Sequence, residues 1–140
     1  TLARKQVLLK NTHDLGLLLG IARDLLAAEL AAARGDFTTA LARAERAVIA
    51  EDALDFDEPP AWHMPARHTL GALQLAAGQP EQAIAVYRRD LALHPDNGWA
   101  LRGLANAYAT TGDRLAAHKT EAAFTRVWRG ADRDIAASRL

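Results

Sequence analysis

The chain has 140 residues, a length that suits one domain with its own core. Its 17 basic and 17 acidic residues cancel, so it lacks the positive surface that binds phosphates, and we expect no nucleic-acid partner. It contains no cysteine, which excludes disulfides and thiolate metal sites and leaves the cellular compartment open.

Residue usage predicts an all-α fold, because 32 alanines and 21 leucines stand against four valines and four isoleucines. Three glycines end apolar periodic runs, as residues just past a helix do: Gly35, Gly78 and Gly112. A helix-start signal follows each of them, in the order Asp36, Pro80 and Asp113. These helix-end and helix-start residues therefore predict three antiparallel helical hairpins.

The first of these hairpins is predicted to span residues 14–54, with residues 1–13 before it as a leftover helix or linker. Its apolar stretch DLGLLLGIARDLLAAELAAA contains Arg23, Asp24 and Glu29. Its longest uncharged run is far shorter than the roughly 20 residues that a membrane span needs. We therefore expect no membrane segment.

Residues 55–63 are predicted to be an inserted joint. Gly35 and Gly78 are 43 residues apart, nine more than the spacing of 34 that separates Gly78 from Gly112. The excess falls on DFDEPPAWH, where two consecutive prolines prevent a helix from continuing. The neighbouring carboxylates lack the glycine turn of a calcium loop, so we interpret them as solvated loop residues.

A metal site near this joint is a separate hypothesis. Met64 and His68 are four residues apart and would share a helix face, where a thioether and an imidazole could hold a cuprous ion. Two ligands are too few for tight binding, so we predict no metal and no cofactor.

A repeat of 34 residues follows the joint. LGALQLAAGQPEQA, from Leu70, overlies LANAYATTGDRLAA, from Leu104, which defines units at 64–97 and 98–131. Small residues recur at matching positions of the two units, such as Ala83 and Ala117. A small residue is needed where two helices cross closely, because a large side chain would push them apart.

These repeats resemble the tetratricopeptide repeat (TPR) family. EPPAW, NGWALRGLA and the closing FTRVWRGADRDIAASRL are similar to the C-terminal region of large bacterial TPR proteins of unassigned activity. The resemblance implies a short right-handed solenoid of stacked hairpins. We expect residues 132–140 to form a closing helix over the last repeat.

Catalytic chemistry has little support in the sequence. The chain has one serine, Ser138, and neither a Gly-x-Ser-x-Gly nor a His-Glu-x-x-His motif, while its five histidines are scattered through different elements. We predict no catalytic residues and no enzyme activity.

The resemblance instead implies a ligand groove on the concave face, which the first helix of each hairpin lines. Residues of this chain at the family's groove positions are Arg102, Asn106, Trp99, His68, Thr110 and, in the divergent hairpin, Glu29. Arg102 and Asn106 share a helix face and resemble part of a family clamp for peptide carboxylates, although the clamp's other residues are replaced. Trp99 fits either a binding anchor or a packing residue.

Binding of a protein or peptide in this groove is the function that the sequence predicts. One alternative is a structural role, in which the chain caps a longer solenoid and self-associates as a homo-oligomer through an exposed apolar edge. A third hypothesis is a metal-linked activity at Met64 and His68.

Overall fold

The computed structural model describes the backbone of residues 2–54 and 60–139, and the side chains within these ranges from residue 15 onward. It contains six α-helices, and these ranges contain no strand, so the all-α prediction is confirmed. The helices are α1 (Leu2–Ala33), α2 (Phe37–Asp52), α3 (Ala66–Ala76), α4 (Pro80–Leu93), α5 (Gly98–Thr111) and α6 (Arg114–Val127).

The chain divides into two compact units, residues 1–66 and residues 67–140. In the first unit α1 packs on α2, and in the second α5 packs on both α4 and α6. Each packed pair consists of neighbours along the chain, as in a helical repeat. Within the described residues, no helix combines the length and the apolar character that crossing a bilayer requires.

The helices end and begin at the glycine and aspartate residues that the sequence predicts. Gly35, Gly78 and Gly112 have φ angles of 78°, 73° and 80°, the left-handed conformation that glycine adopts without strain. Asp36 and Asp113 then accept hydrogen bonds from main-chain N–H groups of the following helix, each at 3.0 Å. Turn chemistry readable in the sequence thus sets the hairpins.

The segment before the first hairpin and the predicted joint differ in how much of them the structure describes. Residues 2–13, expected to be a leftover helix or linker, belong to α1 without a break. Residues 55–59 of the predicted joint lie outside the described residues, and residues 60–65 form no helix. Trp62 of the joint packs against the first unit's core with Ile21 and Ala47, as a packing residue does.

Acidic residues also hold the first unit together. The Glu51 carboxylate accepts a hydrogen bond of 2.8 Å from the main-chain N–H of Ala66, where α3 begins. Asp24, which is 3% exposed, lies within 3.5 Å of three arginine side chains, those of Arg23, Arg43 and Arg46. Burial alone would raise the pKa of Asp24, but these arginines lower it below its usual value. The ionised carboxylate therefore joins α1 to α2.

The second unit is built around Tyr87 of α4. Its ring is fully buried and lies between Gly71 of α3 and Gly103 of α5. A Cβ atom at either glycine would overlap with the ring. The ring shares an apolar cluster with Ala83, Ala100, Leu104 and Ala107. Two glycines thus allow one aromatic ring to pack between two helices.

The closing helix predicted at residues 132–140 is wrong. The last helix ends at Val127, Gly130 has a φ of 89°, and residues 131–139, which we call the tail, form no helix. A helix this short is marginal by itself. The tail instead buries Ile135 and Ser138, and these tertiary contacts outweigh the helix propensity of its alanines.

We predict that Gly103→Ala lowers the free energy of unfolding by about 1–3 kcal/mol, because the added methyl group forces Tyr87 out of its place. Gly20→Ala provides a matched control, since a Cβ atom there has no neighbour within 4 Å and α1 gains helix propensity. The control should be neutral or more stable by up to about 1 kcal/mol. Urea unfolding measures both, and equal effects would contradict this packing.

Candidate functional site

Asn106, on α5, binds polypeptide backbone. Its side-chain amide donates a hydrogen bond of 2.9 Å to the main-chain carbonyl of Ala136 in the tail. Thr110, one turn later, is exposed, and its hydroxyl donates to the carbonyl of Asn106 at 2.9 Å. Asn106 is therefore a predicted groove residue whose side chain binds the main chain of an irregular segment.

Arg102 is already engaged with α6. Its guanidinium donates to the Glu121 carboxylate at 2.8 Å and lies 3.9 Å from the centre of the Phe124 ring. Its side chain is 19% exposed, so it is less open to a ligand than the sequence suggested. Cation–π and ionic contacts of this kind fix the guanidinium in one orientation.

Trp99 is part of an aromatic cluster. Its ring meets Trp128 edge to face, with ring centroids 5.9 Å apart, and Trp128 stacks on Phe124 at 5.3 Å. The indole N–H of Trp128 donates to the Arg133 carbonyl at the beginning of the tail, at 2.6 Å. These contacts support the packing interpretation of Trp99, which the sequence had left open.

His68 belongs to a buried polar network. The Asn97 side-chain oxygen accepts hydrogen bonds from the main-chain N–H groups of Trp99 and Ala100, at 3.1 and 3.5 Å, and so caps α5. The amide nitrogen of Asn97 therefore donates to Nε2 of His68 at 2.7 Å and to Asp90 at 2.9 Å. Nε2 of His68 therefore serves as an acceptor in this network.

The imidazole of His68 is thus not presented to a ligand. The residue is 3% exposed and Asp90 is 1% exposed, and among the described residues neither His68 Nδ1 nor Asp90 Oδ1 has a hydrogen-bond partner. The network joins three successive helices, since His68 lies on α3, Asp90 on α4 and Asn97 at the start of α5.

Two consecutive hydrogen bonds through the Ser138 hydroxyl connect the tail to α3 and α4. The Ser138 hydroxyl donates to the main-chain carbonyl of His68 at 2.9 Å. Because that hydroxyl has a single proton, the Tyr87 hydroxyl is the donor in the 2.6 Å bond between Tyr87 and Ser138. Burial raises the pKa of Tyr87 to about 12, so the phenol keeps its proton at neutral pH.

Two of the predicted groove residues in the second unit line cavities. Asn106 lines a cavity of about 450 Å³ with residues of α5 and α6, whereas Arg102 lines a second cavity of about 420 Å³ with Arg129 and Asp134. Glu29 is half-buried and lies in the other unit. The two cavities share Glu121, so Arg102 and Asn106 line neighbouring parts of the surface between α5 and α6.

The geometry behind the metal hypothesis does not form. Met64 lies two residues before α3 begins at Ala66, so it shares no helical turn with His68. The Nε2 atom of His68 is already bonded to Asn97. Within the described part of the chain, no three histidine or carboxylate side chains converge as a metal site requires.

Sequence reasoning missed Asn97, Asp90 and Tyr87 as organising residues. Asn97 carries a readable signal, because an asparagine just before a helix is a typical cap. Asp90 lies three residues after buried Tyr87 on the apolar face of α4, and a polar residue in such a position is informative. The contacts of Ser138 have no sequence signal, because its partners lie 51 and 70 residues away.

Comparison with known proteins bears on the second unit. Residues 74–123, from the last residues of α3 into α6, match the family model of the tetratricopeptide repeat. This segment is a tetratricopeptide repeat. No curated protein matches the chain. Tetratricopeptide repeats generally act as protein-interaction scaffolds, typically without catalysis of their own.

We predict that Asn97→Ala lowers the free energy of unfolding by about 2–4 kcal/mol. The change removes a helix cap that contributes about 1 kcal/mol. It also removes the amide that donates to both His68 and Asp90, and leaving these buried groups without that donor costs about 1–3 kcal/mol. Chemical denaturation measures the loss, and Thr110→Ala serves as an exposed control with a change below about 0.5 kcal/mol.

The variant Asn97→Asp distinguishes the contribution of the helix cap to stability from that of the buried hydrogen-bond network. Aspartate caps a helix as well as asparagine does, but it cannot donate to His68 and its charge faces Asp90. We therefore expect this variant to remain well below the parent in stability at neutral pH. A variant as stable as the parent would mean that the buried network contributes nothing beyond the cap.

Proposed function

We propose that the chain is a protein- or peptide-binding scaffold, without enzymatic activity, and that its partner binds the concave face formed by α3 and α5. The observation that carries the proposal is the hydrogen bond from Asn106 to the main-chain carbonyl of Ala136. A side-chain amide on the first helix of a hairpin thereby binds irregular polypeptide. Main-chain recognition of this kind accepts many sequences.

Arg102 gives this face a preference for acidic peptides. Its guanidinium is held in place by Glu121 and Phe124, and it lines a cavity that also contains Arg129 and Asp134. The carboxylate of Asp134 belongs to the tail, so an acidic side chain in an irregular segment already borders this cavity. A guanidinium that is fixed beforehand loses little entropy when it binds a carboxylate.

The test begins with peptides selected from a displayed library on the full chain and then titrated by calorimetry. We predict that Arg102→Gln lowers the affinity for the selected acidic peptides at least tenfold, since a charge-assisted hydrogen bond contributes about 1.5–3 kcal/mol. Binding to the parent should also weaken as salt rises, because an open groove is screened.

Arg89→Gln is the matched control, because Arg89 undergoes the same chemical change on an exposed position of α4, a second helix. It should bind the peptides as the parent does. Equal affinities for the two variants would remove Arg102 from the binding surface. Asn106→Ala is less informative by itself, since the tail loses the same hydrogen bond as the partner.

A second candidate function, self-association, has support in the first unit. Leu15, Leu19, Leu26 and Leu30 are each 49–63% exposed. At 100° per residue they lie within about 60° of one another on α1. This stripe is opposite the buried face of the helix, which contains Ile21 and Ala28. A helix with apolar residues on both sides usually has neighbours on both sides.

Self-association through this stripe predicts a dimer that dissociates on dilution, measured by sedimentation velocity. The double variant Leu19→Gln with Leu26→Gln should be monomeric at concentrations where the parent is dimeric. Leu115→Gln is the control, because Leu115 is 67% exposed but lies on α6 of the other unit. A parent that is monomeric throughout would exclude this candidate.

A further inference from the structure

The tail contacts its own unit through two buried residues. Ile135 is 8% exposed and Ser138 is 1% exposed, whereas residues 131–134 and 136 are exposed. The two anchors are three positions apart in a segment without helix or strand. Two anchors in an irregular segment are typical of a short peptide bound to a surface.

Each anchor meets a group that an unrelated peptide can also use. Ile135 packs against Leu101 of α5 and Phe124 of α6. Ser138 accepts from the Tyr87 hydroxyl and donates to the His68 carbonyl. Between the anchors, Asn106 donates to the carbonyl of Ala136. We call the residues that receive the tail the tail-binding face: His68, Tyr87, Leu101, Asn106 and Phe124.

The tail-binding face is largely formed by contacts that do not involve the tail. The ring of Tyr87 is fixed between Gly71 and Gly103, and the backbone at His68 lies in α3. Phe124 is stacked on Trp128, which is itself held by a hydrogen bond to the Arg133 carbonyl, outside the segment between the two anchors. When the tail leaves, the hydroxyl of Tyr87 and the carbonyl of His68 still point to the place that Ser138 occupied. A preformed site favours binding of a second peptide.

We propose that the tail is a resident, displaceable occupant of this face. The partner that replaces it is a peptide that adopts the same irregular, bent conformation, with an aliphatic residue followed three positions later by serine. This inference rests on the proposed function and specifies a ligand that contacts α3 and α5 of that face together with Tyr87 of α4 and Phe124 of α6. A tail linked to its site competes at an effective concentration of roughly millimolar, so a free peptide binds the intact chain weakly.

The test uses a fluorescently labelled peptide with the sequence of residues 130–140, GADRDIAASRL, and the full chain. A release variant, Ile135→Asp with Ser138→Ala, removes both anchors from the tail and leaves the tail-binding face unchanged. Fluorescence anisotropy should give an affinity for the release variant at least about tenfold higher than for the parent, because the internal competitor is lost.

Two controls match the change in charge and in sequence. Ala131→Asp adds a carboxylate to the tail at an exposed position, and it should bind the peptide as weakly as the parent does. A peptide in which the positions of Ile135 and Ser138 are Asp and Ala, GADRDDAAARL, should not bind the release variant. Equal peptide affinities of the parent and the folded release variant would overturn the inference.

Hydrogen exchange of the parent decides the matter if the release variant does not fold. If the amides of residues 135–139 exchange through a local opening, their exchange rates do not change at low denaturant concentrations. That result supports the inference that the tail can be displaced. Amides that exchange only with global unfolding identify the tail as a fixed part of the core and overturn it.

The proposed function and this inference fail differently. A library-selected peptide that binds the parent and the release variant equally overturns the inference and leaves the proposed function standing. If the tail peptide binds the release variant but selection returns no ligand, the internal docking stands and the proposed function fails.

Discussion

The packing of Tyr87 between Gly71 and Gly103 is the constraint on which the second unit depends. An aromatic ring from α4 can enter between α3 and α5 only where both helices lack a Cβ atom, so these glycines set how closely the helices approach. The same packing fixes the phenol hydroxyl, and the hydroxyl in turn receives Ser138. One packing contact therefore governs both the spacing of the helices and the place where the tail binds.

Local chemistry explains why the helices were predictable and the end of the chain was not. Gly35, Gly78 and Gly112 end helices through their own φ angles, so their role needs no tertiary information. Residues 131–139 have the alanine content of a helix, yet their conformation is determined by partners of Ile135 and Ser138 on other helices. Propensity is a weak guide wherever such contacts compete with it.

The sequence predicted which helix contains Arg102 and Asn106, but not the contacts that they make. The repeat register correctly placed Arg102 and Asn106 on the first helix of the last hairpin. Their partners, Glu121 and Ala136, are 19 and 30 residues further along the chain. His68 was expected in the groove but is buried by Asn97 and Asp90, because its ring completes a network that joins three helices. No sequence spacing carries that information.

The tail covers part of the last hairpin, and the energies of its contacts bear on the proposal that it can be displaced. Burial of Ile135 contributes about 1.5–3 kcal/mol, and the three hydrogen bonds to Ala136 and Ser138 contribute roughly 1 kcal/mol each. Ordering the four residues from 135 to 138 costs about 1–2 kcal/mol each. The opposing sums differ by only a few kcal/mol, so the tail can cover the last hairpin while alone and still give way to a better-fitting peptide. In the proposal, coverage by the tail and binding of a peptide are two states of one surface.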